Sequence, residues 1–389
     1  MTRLDDALAR HVSSTDVPGI VALVSRRGET HVVTLGRRSL ESDAPMTRDT
    51  IFRIASMTKP VTAAAAMILV EQCKLRLDEP VDGLLPELAN RRVLKSVESP
   101  LDDTVPARRS ITLRDLLTFT FGLGAIMVWP PRHPIQKAMQ EAGVGPGPYL
   151  ATISADEFVN RIGRLPVACQ PRERWLYHTG SEVLGVLIAR ASGQSLGAFM
   201  HDHLFGPLGM RDTGFQVPVD KVGRLASNYM TDPKDNTKLG FFDDARDSRW
   251  SRPPVFESGG GGLVSTVDDY LAFQRMLLDK GRHRGERILS RPAVELMMTD
   301  QLTPEQKQGA ELFLGESASW GLGGAVITRR TDLWTTPGRY GWDGGYGSSA
   351  HLDPAEDMAG ILMTTRTMES LRPRVFADFW TSAYQAIDD

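Results

Sequence analysis

Apolar and polar positions divide the chain into a β-rich opening, a helical middle and a β-rich close. Residues 4–12 carry an amphipathic helical pattern. Residues 19–25 and 30–35 are β-rich runs joined by Arg26-Arg27-Gly28-Glu29, a hairpin signal. Ile51-Phe52-Arg53-Ile54-Ala55 predicts a strand or extended backbone, and the alanine-rich run that follows Pro60 predicts a helix buried all round. Residues 111–123 predict a helix ending in a glycine-bearing turn, and residues 127–149, rich in proline and glycine, a loop or lid. Further helices are predicted over 155–163, 182–192 and 267–278, with a structural turn at 205–215. Residues 346–353 and 357–364 alternate like paired strands, and a last helix spans about 371–387. Strands at both ends with helices between predict one sheet closed by the two termini.

At 389 residues the chain can bury a large core, and its 41% apolar and 24% charged content is ordinary for a globular protein. A net charge of −3 leaves no footprint for nucleic acid or an anionic membrane. Two cysteines make no disulfide framework; Cys73, placed in the apolar helix, reads as a small buried hydrophobe. The N-terminal MTRLDDALARHVSS has no basic region followed by an apolar one, so no signal peptide is read and a cytoplasmic location is expected. The longest apolar run, residues 61–70, is too short to span a bilayer.

Chemistry changes the picture at Ser56-Met57-Thr58-Lys59. Positions i and i+3 share one helical face, so the Lys59 amine can reach the Ser56 hydroxyl. Serine is a weak nucleophile until a base takes its proton, and an amine serves when burial lowers its pKa toward neutrality. Ser-x-x-Lys alone is weak, since about one serine in twenty has a lysine three positions on. The plain alternative is a capping serine and a solvated lysine. The apolar strand-to-helix junction argues against an idle surface charge at 59.

Phe52-Arg53-Ile54-Ala55-Ser56-Met57-Thr58-Lys59 resembles the nucleophile motif of the serine β-lactamase and penicillin-binding-protein superfamily. More closely it is similar to the class C β-lactamase-like esterases, the family VIII carboxylesterases. Residues 111–123 resemble a further family segment, with Phe119 and Phe121 where His and Ser are usual. Trp175-Leu176-Tyr177-His178 resembles the family VIII motif whose tyrosine is catalytic, which implies that role for Tyr177; His178-Thr179 stands where Ser-Asn is common in the β-lactamase relatives. In Gly341-Trp342-Asp343-Gly344-Gly345, Trp342 takes the place of the lysine that helps β-lactamases hold the substrate carboxylate. The resemblance then implies an oxyanion hole formed by the N–H groups of Ser56 and Gly345, such a donor contributing about 3 kcal/mol. It also implies that the glycine-rich turn 258–262 packs closely beneath the site.

Gly193-Gln194-Ser195-Leu196-Gly197 matches the G-x-S-x-G elbow of α/β-hydrolases, but that motif needs a strand-turn-helix, and residues 182–191 read as helix. Ser195 therefore reads as a turn or capping residue. The histidines show no convincing ligand spacing, His201 and His203 read as surface residues, and no metal or cofactor is expected.

The expected fold is mixed α/β (α+β), β-lactamase/transpeptidase-like. Residues 1–78 and 256–389 would carry a central antiparallel sheet flanked by helices; residues 79–255 would form a mostly helical inserted region with a lid at 127–149. The expected function is hydrolysis of neutral short-chain carboxylic esters through an acyl-enzyme on Ser56, with Lys59 and Tyr177 as the base system. Trp342, Asp343, Gly344, Met127, Trp129 and His178 are the expected substrate contacts. The partners expected are a small-molecule ester and water, with neither nucleic acid nor membrane. The rivals on the same site are β-lactam hydrolysis, D-amino-acid peptide or amide hydrolysis, and acyl transfer. A non-catalytic ligand-binding relative would be expected to lose Ser56, Lys59 or Tyr177, and all three are present.

Overall fold

The computed structural model describes residues 2–128 and 130–388; Trp129, an expected substrate contact, lies outside them. Seven antiparallel strands form the central sheet, in the spatial order Ala318–Trp320, Ala325–Ile327, Tyr340–Gly344, Ser348–Asp353, Met358–Thr364, Gly19–Arg26, Glu29–Gly36. The N-terminal hairpin joins the C-terminal strands through Gly19–Arg26, where Ile20 lies opposite Thr364 and Arg26 opposite Met358. Side chains alternate across a strand, so this strand serves two cores. Val21 and Leu23 point with Ile361 and Met363 toward Ile54 and Met57. Ile20, Ala22 and Val24 point the other way, onto Leu4, Leu8, Phe376, Phe379 and Trp380 of the two terminal helices, Thr2–Ala9 and Arg374–Gln385. Both faces are covered, which is why the strand reads as a continuous apolar run. The terminal helix is also pinned by polar bonds, Trp380 Nε1 to Ser349 Oγ at 2.9 Å and the Tyr384 hydroxyl to Asp353 at 2.7 Å.

The helix after Pro60 runs Thr58–Glu71 and is buried from Thr58 to Leu69, as its lack of a polar face predicts. It packs against the equally buried helix Thr179–Ser192. Helix Val267–Leu278 has the predicted bounds, with Thr266 capping through Asp269 N–H. Among the described residues no single helix is long and apolar enough to cross a membrane.

Four expectations need correction. The apolar run before Ser56 is a strand only at Phe52–Arg53, paired with Val264–Ser265; Ala55 at φ 45° turns the chain into a 3₁₀ turn, Ala55–Met57. The helix predicted over 111–123 is only Leu113–Leu117. Its Thr112–Asp115 capping box starts it, and left-handed backbone at Phe119 and Gly122 ends it. The expected lid contains a helix of its own, Pro134–Glu141, whose proline occupies the first turn where no N–H is needed. Cys73 is exposed, in left-handed backbone beyond the helix end, and is no part of the core.

Candidate active site

Three segments meet at Ser56. The strand Tyr340–Gly344 passes beneath the Ala55–Met57 turn, and Ser348 on the next strand donates to the Ile54 carbonyl at 3.1 Å. Gly344 lies at that crossing, where a Cβ would strike Ile54 O and Ser348 Oγ. Behind the turn, Arg53 is buried against Asp243 and stacks 5.2 Å from the Trp250 ring. Helix Thr179–Ser192 brings the third segment, Tyr177-His178, to its N-terminus.

Ser56 does not cap the helix it precedes; Met57 is the N-cap residue and no side chain bonds there. The hydroxyl faces Lys59 instead, with Nζ 2.9 Å from Oγ. Lys59 is fully buried, and its Nζ has two further partners, the Gly260 carbonyl at 2.6 Å and His178 Nδ1 at 3.3 Å. Burial drives the ammonium down to about 7, the charge of Glu182 partly opposing it. The Tyr177 ring face lies 4.7 Å from Nζ, and its hydroxyl accepts from Trp342 Nε1 at 2.6 Å. Burial pushes the Tyr177 phenol well above its ordinary value, with the neighbouring Ser56 and Trp342 side chains opposing.

His178 joins Tyr177 to the helix in left-handed backbone, φ 83° and ψ −64°, with Thr179 N–H bonded to the Tyr177 carbonyl. This is a γ-turn of the rare, strained hand. Its imidazole is lowered by burial and then by Lys59, against the pull of Glu182. Nε2 lies 3.1 Å from Glu182 Oε1. Glu182 accepts from the Ser258 hydroxyl at 2.7 Å and Gly260 N–H at 3.3 Å. Burial alone would raise this carboxyl, but His178, Ser258 and Lys59 together hold it below its ordinary value. Gly260 must be glycine here, since a Cβ would sit 2.7 Å from Glu182 Oε1.

A mostly apolar cavity of about 370 Å³ opens over Ser56. Of the expected residues, Ser56, Tyr177, His178, Trp342, Asp343, Gly345 and Met127 line it. Lys59 lies just behind Ser56. Gly345 is exposed to the cavity with nothing near its Cβ position. Gly344 does not line the cavity and is corrected from substrate contact to packing residue, because the strand must pass closely under the Ser56 turn there. Trp342 is buried in an aromatic cluster with Phe119, Trp175, Tyr177, Phe313 and Trp320. Phe119, in the usual histidine position, wedges edge-on to Tyr177 with ring centroids 5.7 Å apart. Asp343 keeps a third of its side chain exposed, and its Oδ1 accepts from Ser349 and His351. Burial and then Arg339 hold His351 down to about 4, so it does not cancel the Asp343 charge at neutral pH.

The C-terminal part of the expected lid, residues 146–149, lines the cavity wall, whereas sequence reasoning missed Glu182, Phe313 and Tyr346. Glu182 had a signal: it stands four residues after His178 on the face of a helix. Ser195 caps helix Leu196–Met200 through Ala198 N–H at 3.2 Å and does not line the cavity.

A strand-helix junction that sets serine against a buried lysine, above an antiparallel sheet, defines a serine-hydrolase fold. The chain belongs to the beta-lactamase family, which it matches over residues 4–376. It is 40% identical over 350 residues to protein Rv1367c of Mycobacterium tuberculosis, covering 87% of this chain and 84% of the relative. It is 29% identical over 387 residues to esterase EstB of Burkholderia gladioli, covering 95% and 91%. Among solved structures, EstCE1, described as a hydrolase with promiscuous acyltransferase activity, superimposes with a TM-score of 0.81 at 24% identity, covering 98% of each chain.

Proposed function

We propose that the protein is a serine carboxylesterase acting on neutral, short-chain carboxylic esters. The observation that carries this reading is the buried Lys59 amine 2.9 Å from the Ser56 hydroxyl. Ser56 Oγ attacks the ester carbonyl carbon while its proton passes to Lys59, with Tyr177 as coupled partner. The oxyanion is held by the N–H groups of Ser56 and Gly345. Collapse breaks the bond to the alcohol oxygen, which takes the proton and leaves an acyl group on Ser56. Water, deprotonated by the same groups, then releases the acid.

The cavity's charge supports the neutral substrate. Among the described residues lining it, Glu182 and Asp343 are the charged ones, both acidic, with neither lysine nor arginine. Arg339 lies buried against Trp334 and Trp380, and Arg366 bonds Thr231 and Glu369; neither lines the cavity. Apart from Lys59 behind Ser56, a carboxylate-bearing substrate meets no lysine or arginine among the described lining residues.

A second reading, acyl transfer to an alcohol, is favoured by the apolar rim formed by Met127, Tyr149 and Leu371, all exposed at the cavity mouth. Such a rim suits an apolar acceptor in place of water.

The test is p-nitrophenyl butyrate hydrolysis by Ser56→Ala and Ser195→Ala. The first is expected to abolish turnover and the second to leave most of it; the reverse pattern would remove the assignment. Added alcohols, with ester product measured against acid, separate transfer from hydrolysis.

A further inference from the structure

We propose that Glu182 and His178 are positioning residues that extend Ser56 and Lys59 into a four-residue line and aim the lysine's lone pair at the serine. This rests on the esterase reading above. A neutral amine has two N–H groups and one lone pair. Three groups surround Lys59 Nζ: Ser56 Oγ at 2.9 Å, the Gly260 carbonyl at 2.6 Å and His178 Nδ1 at 3.3 Å. The carbonyl can only accept. If His178 Nδ1 also accepts, both N–H groups are engaged and the lone pair is left for the Ser56 proton.

Nδ1 accepts only while the ring proton sits on Nε2. Nε2 is 3.1 Å from Glu182 Oε1, and an ionised carboxylate only accepts, so Glu182 fixes that tautomer. Ser258 Oγ and Gly260 N–H, both donating to Glu182, keep the carboxylate ionised. A base oriented by a third group is the general logic of activated serines. Here the third group is an imidazole and a fourth residue sets its tautomer.

The proton balance closes. The Ser56 proton moves to Nζ as Oγ bonds to carbon. The ammonium then has three N–H groups for the three surrounding acceptors, and the Glu182 charge offsets the new positive charge. The proton then goes to the departing alkoxide. The groups facing Lys59 in this arrangement are Ser56, the Tyr177 ring, His178, Glu182 and the Gly260 carbonyl.

Backbone strain points the same way. His178 holds φ 83°, where a side chain carries a strain cost that glycine largely avoids. The imidazole is kept there in spite of that cost.

The experiment measures kcat/KM for p-nitrophenyl butyrate from pH 5 to 9, with thermal unfolding, for wild type, Ser56→Ala, His178→Gly and Glu182→Gln. His178→Gly suits the left-handed backbone and is expected to fold, to lose about 100-fold in kcat/KM, and to recover about tenfold in millimolar imidazole. Glu182→Gln is expected to lower kcat/KM, because an amide can donate to Nε2 and reverse the tautomer. Its acid limb should move down by about one pH unit, because the carboxylate no longer favours the ammonium. A His178→Gly enzyme within about threefold of wild type would overturn the proposal. So would loss without imidazole rescue together with an unmoved acid limb in Glu182→Gln, which would assign both residues to packing alone. An inactive wild type, or an active Ser56→Ala, would instead defeat the esterase reading.

Discussion

Lys59 lies beneath Ser56 with no exposure to solvent, and that burial brings its ammonium down to about 7. Proton uptake from Ser56 needs the neutral amine, so kcat/KM is expected to climb as pH passes upward through about 7. In the unfolded chain the same lysine holds its proton to about pH 10.4. Between these values the unfolded state binds more protons, so this group's contribution to stability increases with pH over that window and is least favourable below it. Lys59→Met removes the penalty. Its Tm advantage over wild type should therefore be largest at pH 7 and shrink toward pH 9.5; a difference that widened with pH would contradict the burial argument. Lys59→Ala and Tyr177→Phe should each cost several orders of magnitude in kcat. On the proposed mechanism both act in one proton transfer, so the double variant should cost little more than the worse single. Losses that multiply would mean separate roles.

At the scale of elements, the Ala55–Met57 turn is held from behind by the buried Arg53–Asp243 pair, which Ser248 also joins by donating to Asp243 at 2.6 Å. Asp243→Asn keeps the volume but leaves a guanidinium buried without its counter-charge. It is expected to lose about 3–5 kcal/mol by urea unfolding. A loss under 1 kcal/mol would show the pair to be incidental to the turn. This pair also marks where sequence reading stops. Periodicity located helix Val267–Leu278 and the two central C-terminal strands because their partners leave a local apolar rhythm. Ser56, Lys59 and Tyr177 were legible because motif spacing is local. Residues 111–123 misled because the apolar rhythm continues past Leu117 while the backbone turns left-handed at Phe119, where that ring packs on Trp175 and Trp320. Such a choice is made by neighbours far along the chain. Arg53 with Asp243, and Glu182 with Ser258, are likewise meetings across long sequence separations that no window along the chain contains.

For the whole molecule, the proposed preference for neutral esters rests on the balance of charge around the cavity. Trp342 gives its one N–H to Tyr177, so it has no charge and no spare donor to offer a carboxylate. Replacing a charged partner of a desolvated carboxylate by none should cost about 2–5 kcal/mol, or roughly 30-fold to several thousandfold. The kcat/KM for nitrocefin should therefore fall below that for p-nitrophenyl butyrate by at least the lower figure. Equal values would mean that a cation reaches the cavity by a route the fold does not display.

The strand Gly19–Arg26 bears on how the molecule comes into being. Its two neighbours are Glu29–Gly36, made moments later, and Met358–Thr364, made only after residues 37–357. A ribosome that has delivered the first hairpin has delivered a ribbon with both edges unpaired, and along one of them lies the Gly19–Arg26 strand, apolar on both faces, a surface that invites other chains. Ile54 and Met57, which rest on that ribbon, wait with it. Closing contacts between distant parts of a chain is slow. The Ser56 turn thus gains its floor only when residues 358–364 have emerged, and a nascent chain stalled before them carries the Ser-Lys motif without the sheet that positions it.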